Sequence, residues 1–424
     1  MERVVSKLTT PFLEVSGAFG ADQWAFRKKR SCRDLVALLV LRWLWALDQG
    51  FKVGIYLSDI AGAFDRVDRS ILTELLRRTG LSDALVDFLC DYLAPRFAVV
   101  IVQGHHSHTF TIKDEVFQGT VMGPGLWNIF FEPVDKPIRE CNFKPAKFAD
   151  DMTACRNFEG STTNGRIQEE LSRCQEKCHA WGSENRVTFD KSKEFFRILH
   201  RGDGMGEPFR LLGTIVDHKL TMESEIRRVY KKASPKLNAI LATRHLYDLH
   251  GMFQQYKSHI LCLLEQSAAA IYHAASTHLE LLDRVQKRFL NSIGMSEESA
   301  FLDFNLAPLQ LRRDIGVLGL LHKVQLGEAH PDFSLLFQKA VHTSTSRTRL
   351  DTRRHRKQFC EVFGCTDYFN RSVFAATRVY NVLPEYVINA SSVTMFQSFL
   401  TKDARVACRS GSKRWHGMYN NRLR

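Results

Sequence analysis

Residues 147–153 of this 424-residue chain read Lys-Phe-Ala-Asp-Asp-Met-Thr, so Asp150 and Asp151 are adjacent carboxylates inside a short apolar stretch. A third acid, Asp59, comes soon after the apolar run from Val53 to Leu57. An unpaired carboxylate in an apolar setting is unfavourable, so such clusters either take up protons or hold cations, and hard oxygen ligands suit Mg2+. The three acids therefore predict a metal site built at strand ends.

The composition is that of a basic globular protein. Lys and Arg number 59 against 46 Asp and Glu, which gives a net charge of +13 and favours a polyanionic partner such as nucleic acid. The longest apolar run, Leu35 to Leu47, contains Arg42 and is shorter than the roughly 20 residues that a membrane span needs. Ten scattered cysteines predict reduced thiols in an intracellular protein, without disulfides.

The apolar pattern predicts an α+β protein. A helix is expected from an N-cap at Asp34 to about Asp48, ended by Gly50, and another near Ile71–Arg78. From residue 51 to about 220, short β-type runs alternate with helical patterns, which favours a domain around a sheet. These runs are Val53–Leu57, Phe97–Val102, Phe195–Leu199 and Leu211–Val216.

The second half of the chain is mostly helical in pattern. Between residues 221 and 330, apolar residues at spacings of three and four predict one buried helix face. They are Leu279, Leu282, Val285, Phe289 and Ile293. A basic, turn-rich segment, Ser344–Lys357, follows.

The three acids suit a reaction in which metal ions activate a hydroxyl and stabilise a leaving oxygen, as in polymerases and nucleases. Such ligands must converge from separate strands. Asp59 closes one predicted strand, and Asp150 and Asp151 are expected at the tip of a β-hairpin beside it. This spacing permits convergence.

A series of motifs in order resembles the reverse transcriptase of non-LTR (LINE-type) retrotransposons over nearly the whole chain. The similar segments are Gln23–Ser31 (fingers), Ser58–Asp65 (first acidic motif), Phe117–Pro124 (template-and-nucleotide loop), Phe148–Asp151 (catalytic hairpin), Phe209–Gly213 (primer grip) and Asn370–Pro384 (polyprotein tail). The resemblance implies a right-hand polymerase fold with an antiparallel palm sheet. Its expected parts are partial fingers at 1–50, a palm at 51–220 with a fingers insertion near 84–115, a helical thumb at 221–330 and a basic C-terminal extension at 331–424.

The resemblance also implies site residues. Asp59 and Asp150, with the carbonyl of Ile60, would bind two Mg2+ ions, for which Mn2+ could substitute, and Asp151 would tune the site. The remaining implied roles are selection of dNTP over rNTP by Phe64, template and nucleotide contacts by Gln118 and Gly119, triphosphate contacts by Arg27 and Arg30, protonation of pyrophosphate by Lys191, and the primer grip at Leu212 and Gly213. A glycine at 119 would let the backbone approach its ligand closely.

Several of these residues have a plainer interpretation. Asp68 precedes an apolar-periodic helix and is expected to be its N-cap rather than a metal ligand. Phe64 could be a core aromatic, and the basic run from Arg27 to Arg30 could be a solvated face or a nuclear-import signal.

The cysteines and histidines do not form metal-binding patterns. Cys174 and Cys178 share a helical face with apolar residues and are expected to be core thiols, despite His179 nearby. His105, His106 and His108 are expected in an exposed hairpin loop, while Cys360, Cys365 and His355 lack zinc-finger spacing. No structural zinc is expected.

The expected function is RNA-templated DNA synthesis, which uses an RNA template, a DNA primer or target, and dNTPs. The protein is expected to be made in the cytoplasm and to act in the nucleus. No endonuclease signature is present, so a separate endonuclease is expected, and the oligomeric state is left open.

The chain departs from the family at Phe117, where proline is usual, and at Phe148, where tyrosine is common. Met1 falls where the family is already within its fingers. The alternatives are a silent, truncated relic that retains RNA binding, or a maturase-like or telomerase-like polymerase.

Overall fold

The computed structural model describes residues 2–112, 116–340 and 355–420. Residues 344–354 of the predicted basic segment lie outside the described residues, as do 113–115 of the predicted fingers insertion.

The secondary structure mixes helix and strand throughout the described residues. The strands are β1 Lys52–Ser58, β2 Arg96–Ala98, β3 Ile101–Val102, β4 His105–His106, β5 Phe110–Ile112, β6 Lys144–Phe148, β7 Asp151–Phe158, β8 Phe195–Leu199, β9 Phe209–Leu211 and β10 Thr214–Val216. The helices of the first half are α1 Glu2–Val15, α2 Cys32–Asp48, α3 Arg69–Arg78, α4 Asp83–Tyr92, α5 Gly123–Phe131, α6 Asp135–Glu140 and α7 Asn164–Glu184. Those of the second half are α8 Glu223–Ala242, α9 Leu249–Tyr256, α10 Cys262–Glu265, α11 Ala268–Ile271, α12 Ser276–Ser292, α13 Glu297–Phe304, α14 Leu309–Gln325, α15 Pro331–Leu336, α16 Asp367–Asn370, α17 Val373–Tyr380, α18 Glu385–Ile388 and α19 Val393–Arg409.

The central sheet has four strands in the order β6-β7-β1-β8, and its β6–β7 and β7–β1 pairs are antiparallel. All seven residues of β1 are buried, as expected for an apolar strand covered on both faces. The register pairs Ser58 at the end of β1 with Met152 near the start of β7. Asp59 therefore leaves the sheet beside Asp151.

Helix α7 covers β1 through the apolar face predicted from the sequence. Ile167, Leu171, Cys174, Cys178 and Trp181 are all buried. Gly54 on β1 makes this approach possible, because a Cβ there would lie 2.9 Å from the Ile167 Cγ2 atom. Cys174 and Cys178 are core thiols, and all ten cysteines are free.

The chain divides into two compact units. One comprises residues 1–32 and 52–198, and the other comprises residues 33–51 and 199–424. Helix α2 belongs to the second unit and is buried almost all round, which explains why its sequence is apolar on every face. The four-part division into fingers, palm, thumb and extension stays a prediction.

The predicted helices are confirmed, with corrected ends, and one predicted loop is a strand. Asp68 is the N-cap of α3, since its Oδ1 accepts the Ile71 amide at 3.0 Å. The N-cap at Asp34 is wrong, because α2 begins at Cys32 and the Asp34 carboxylate instead accepts the Lys323 ammonium at 2.6 Å. His105 and His106 are exposed, as predicted, but lie on strand β4 rather than in a loop.

Two predicted β-runs are each split into two strands. The run Phe97–Val102 divides at Val99 and Val100 because β2 pairs with β5 while β3 pairs with β4. The run Leu211–Val216 divides at Leu212 and Gly213, whose φ angles of +45° and +87° make a tight hairpin turn.

Residues 221–330 of the second unit are mostly helical, as their sequence pattern predicts. The predicted apolar face on α12 is buried at Leu279, Leu282, Val285 and Phe289, whereas Ile293 caps the helix end. Within the described residues, no helix combines the length and hydropathy that a membrane span requires.

Candidate active site

The candidate site is built on the β6–β7 hairpin. Phe148 pairs with Asp151, so Ala149 and Asp150 form the two-residue turn between the strands. Ala149 has φ +59°, a left-handed conformation that is uncommon for a residue with a Cβ. The turn must therefore be held in place by its surroundings.

Two side chains bind the Ala149 peptide. The Gln23 Oε1 atom accepts the Ala149 amide at 3.0 Å, and the Gln23 Nε2 donates to the Ala149 carbonyl at 3.1 Å. The Trp127 Nε1 donates to the same carbonyl, also at 3.1 Å. We call Gln23 and Trp127 the Ala149 clamp.

The sheet register brings the three predicted acids together. Asp59 is 9% exposed, and its charge acts on both Asp150 and Asp151. Burial, followed by the Asp59 charge, raises the pKa of Asp150 above its usual range. Partial burial and then the charges of Asp150 and Asp59 raise the pKa of Asp151 to about 6. The site concentrates negative charge that a cation would relieve.

A lysine that the sequence analysis did not single out approaches these acids. The Lys193 ammonium bonds the Asp59 carboxylate and lies 3.7 Å from the Asp190 carboxylate. The bond to Asp59 raises the pKa of Lys193. Lys191, the predicted proton donor, is exposed, and among the described residues its side chain makes no hydrogen bond or ion pair.

The donor set fits a divalent cation in its chemistry. Three carboxylates meet at one sheet edge, and the pKa values of two of them are raised by crowding and burial. Among the described residues, no three His, Cys, Asp or Glu side chains form a group that could hold a metal ion, and the Lys193 ammonium occupies the Asp59 carboxylate. The Lys193 ammonium would have to move for Asp59 to become a metal ligand.

The Ile60 carbonyl, which is also a predicted metal ligand, lies beside Asp59. A short β-bridge joins Ile60 to Phe189 through two backbone bonds, from the Asp190 amide to the Asp59 carbonyl and from the Ala61 amide to the Thr188 carbonyl. The Ile60 carbonyl takes no part in these two bonds.

The residues predicted to select the nucleotide lie in the same compact unit as the three acids. Phe64 is half-buried in a short 3-10 helix, and its ring stacks on Trp127 with centroids 5.7 Å apart. Gln118 is exposed, and its Nε2 lies 3.4 Å from the Asp65 carboxylate. Gly119 has φ +84°, which only glycine adopts readily, and a Cβ there would meet no atom within 4 Å.

The two arginines of the fingers motif bind protein groups. The Arg27 side chain is 4% exposed and forms a bidentate ion pair with Glu14 at 2.6–3.0 Å. Its Nη1 also donates to the Gln23 carbonyl at 3.1 Å, and Arg30 donates to that carbonyl at 2.7 Å. Triphosphate contact by these arginines stays a prediction, and for Arg27 it requires the Glu14 ion pair to open.

The predicted primer grip lies in the other compact unit. Leu212 and Gly213 form the β9–β10 turn described above. Its action on a primer stays a prediction.

The pKa of Asp151 leads to a prediction about stability. A carboxyl whose folded pKa exceeds its unfolded value of about 3.9 favours the protonated native state, so stability is lost as pH rises toward and through the folded value of about 6. In EDTA, Asp151→Asn should therefore raise the melting temperature relative to wild type at pH 7 but not at pH 4. The gain should be a few degrees at most, because solvent screens this exposed residue.

The matched control is Asp87→Asn on the exposed face of α4. Its difference in melting temperature from wild type should not change between pH 4 and pH 7. Equal pH trends for the two variants would show that the charge of Asp151 does not destabilise the native state at pH 7.

A family model described as reverse transcriptase (RNA-dependent DNA polymerase) matches residues 1–216. The chain is 25% identical over 316 residues to the RNA-directed DNA polymerase from mobile element jockey of Drosophila melanogaster, and 26% identical over 313 residues to that of Drosophila funebris. Each alignment covers 69% of this chain and 34% of the relative. The chain thus spans about a third of the length of these relatives.

Other similarities are more limited. The Pol polyprotein from type-1 retrotransposable element R2 of Popillia japonica is 25% identical over 104 residues, covering 22% of this chain and 17% of the relative. Among solved structures, telomerase from Candida albicans with a fragment of telomeric RNA gives a TM-score of 0.39 at 10% identity, covering 70% of this chain and 55% of that one. Apo telomerase from Candida tropicalis gives 0.42 at 11%, covering 71% and 50%.

Proposed function

This chain belongs to the reverse transcriptase (RNA-dependent DNA polymerase) family, in its non-LTR (LINE-type) branch, and we propose that it copies RNA into DNA by two-metal nucleotidyl transfer. Its fold class is the α+β right-hand polymerase of that family. Reverse transcriptases generally use divalent metal ions. The choice of ion and the residues that bind it are part of the proposal.

One observation carries the proposal. The β1–β7 register places Asp59 beside Asp151, and Asp150 precedes Asp151 in the β6–β7 turn, so acids almost a hundred residues apart in the sequence converge at one sheet edge. Asp59, Asp150 and Asp151, with the Ile60 carbonyl, would hold two Mg2+ ions, or Mn2+ as a substitute. When bound, such ions lower the pKa of a primer 3′-hydroxyl and neutralise the leaving pyrophosphate.

The chain's own residues would supply orientation and selection. Phe64 would contact the sugar and exclude a 2′-hydroxyl, and Gln118 would offer amide contacts beside the open backbone at Gly119. A lysine would hold a proton near the pyrophosphate, and Lys193 joins Lys191 as a candidate because it is the one that contacts Asp59.

The proposed partners are an RNA template, a DNA primer and dNTPs. The net charge of +13 supports binding to these polyanions, which should weaken as salt is raised. A separate endonuclease would supply target cleavage, and the nucleus is the proposed site of action.

The deciding experiment is primer extension by the full chain on a poly(rA) template with an oligo(dT) primer, dTTP and Mg2+. We expect dTTP incorporation that depends on template, primer and divalent ion. Salt-sensitive RNA binding without incorporation would overturn the proposal and favour the silent relic.

A further inference from the structure

The turn that carries Asp150 is held by a side chain more than a hundred residues away in the sequence. Gln23 is 1% exposed, and its amide bonds both polar groups of the Ala149 peptide, accepting its N–H at 3.0 Å and donating to its carbonyl at 3.1 Å. A side-chain amide can donate and accept at once, so it can replace the strand pairing that a turn residue lacks.

Ala149 needs such a partner. Its φ of +59° places it in the left-handed region, which costs a non-glycine residue free energy and persists only when the surroundings fix it. The Trp127 Nε1 gives the Ala149 carbonyl a second donor at 3.1 Å. The Ala149 clamp therefore fixes the peptide immediately before Asp150.

Gln23 is itself held rigidly. Its segment runs along β6, where the Lys147 amide donates to the Asp22 carbonyl at 2.8 Å and the Trp24 amide donates to the Lys147 carbonyl at 2.9 Å. The Gln23 Oε1 also accepts the amides of Trp24 at 3.0 Å and Ala25 at 3.1 Å. The side chain is thus fixed before it reaches the turn.

The basic run of the fingers motif supports the same residue. Arg27 and Arg30 both donate to the Gln23 carbonyl, and Arg27 is anchored in turn by Glu14. Through Gln23, these contacts give the two arginines a structural role in holding the turn that carries Asp150.

We propose that Gln23 is a positioning residue for the catalytic centre, which sets the place of the Asp150 carboxylate relative to Asp59 through the Ala149 peptide. The catalytic consequence rests on the proposed function, whereas the control of the turn does not. A core glutamine without this role would affect stability but neither the Ala149 amide nor the metal requirement of the reaction.

The first test measures amide hydrogen exchange in the metal-free protein, which needs no activity. Gln23→Met removes both bonds to the Ala149 peptide, together with the bonds from the Trp24 and Ala25 amides, at similar volume. We expect the Ala149 amide to exchange about tenfold faster than in wild type. The matched control is Gln286→Met, because Gln286 is also buried and its Nε2 donates to a backbone carbonyl, that of Ala307, at 3.0 Å in the other unit. It should leave the exchange of Ala149 unchanged.

The second test measures primer extension. For Gln23→Met we expect about a tenfold fall in kcat, a higher Mg2+ concentration for half-maximal rate, and little change in KM for dTTP. Gln286→Met should leave all three values at wild type. If Gln23→Met does not fold, Gln23→Glu decides, because its carboxylate still accepts three amides but cannot donate to the Ala149 carbonyl.

The outcomes separate the two proposals. Unchanged Ala149 exchange in Gln23→Met, or wild-type kcat and Mg2+ requirement in whichever Gln23 variant folds, would overturn the positioning role. If wild type does not extend a primer, the proposed function fails, and the exchange result alone judges whether Gln23 holds the turn.

Discussion

Asp150→Asn is expected to reduce kcat for RNA-templated primer extension by about 10³-fold or more, since removing a charged metal ligand withdraws several kcal/mol of transition-state stabilisation. Asparagine keeps the shape of aspartate but not its charge. Asp150 lies at the tip of the β6–β7 turn, where the Asp59 charge acts on it, so the charge is lost where the proposed ions would bind.

The same variant should fold at least as well as wild type. Burial and the Asp59 charge raise the pKa of Asp150, so its charged form is disfavoured in the metal-free protein. Removing that charge should leave the melting temperature in EDTA unchanged or slightly higher at pH 7. A loss of activity without a loss of stability is the signature of a ligand rather than a structural residue.

Asp87→Asn serves as the control, since it removes an exposed carboxylate from α4 in the same compact unit. It should extend primers at the wild-type rate. Wild-type kcat in Asp150→Asn would remove Asp150 from the proposed metal site, whatever its stability.

The acids could be predicted from sequence because their placement follows from local rules. An apolar run ending at Asp59 and a hairpin with Asp150 in its turn leave few registers that bury both strands. The observed pairing of Ser58 with Met152 is the register that joins the three carboxylates.

The contacts around the acids could not be predicted in the same way. Lys191 and Lys193 are two positions apart, and which of them reaches Asp59 depends on a turn in which the Asp190 carboxylate accepts the Ser192 amide and hydroxyl. The Arg27–Glu14 pair likewise depends on how α1 packs, which the basic run alone does not reveal.

The contact between Gln23 and Ala149 could not be predicted from the sequence either. Its motif is recognisable in the sequence, but its partner Ala149 is 126 residues away, and no periodicity links a side-chain amide to a turn in a distant hairpin. The signal available was the conformational demand of the two-residue turn, which carries Ala rather than Gly at 149.

Phe64→Val is expected to raise kcat/KM for rNTP relative to dNTP by about 10²-fold, the discrimination that a close apolar contact can impose on a small added group. The Phe64 ring is half-buried and stacks on Trp127 at an interplanar angle of 24°, so it is a rigid surface rather than a mobile side chain. Valine would leave space where the ring would meet a 2′-hydroxyl.

Phe64→Tyr is the control, because it keeps the ring and should retain dNTP selection. The valine variant also loses an aromatic pair worth about 1 kcal/mol, so its melting temperature must be measured beside its kinetics. The Trp127 indole stacks on Phe64 and also donates to the Ala149 carbonyl. One side chain therefore supports both the proposed sugar-selecting ring and the turn that carries Asp150. Trp127→Phe should then keep the stacking surface and dNTP selection while lowering kcat. Unchanged rNTP discrimination in Phe64→Val would show that the sugar of the nucleotide does not contact Phe64.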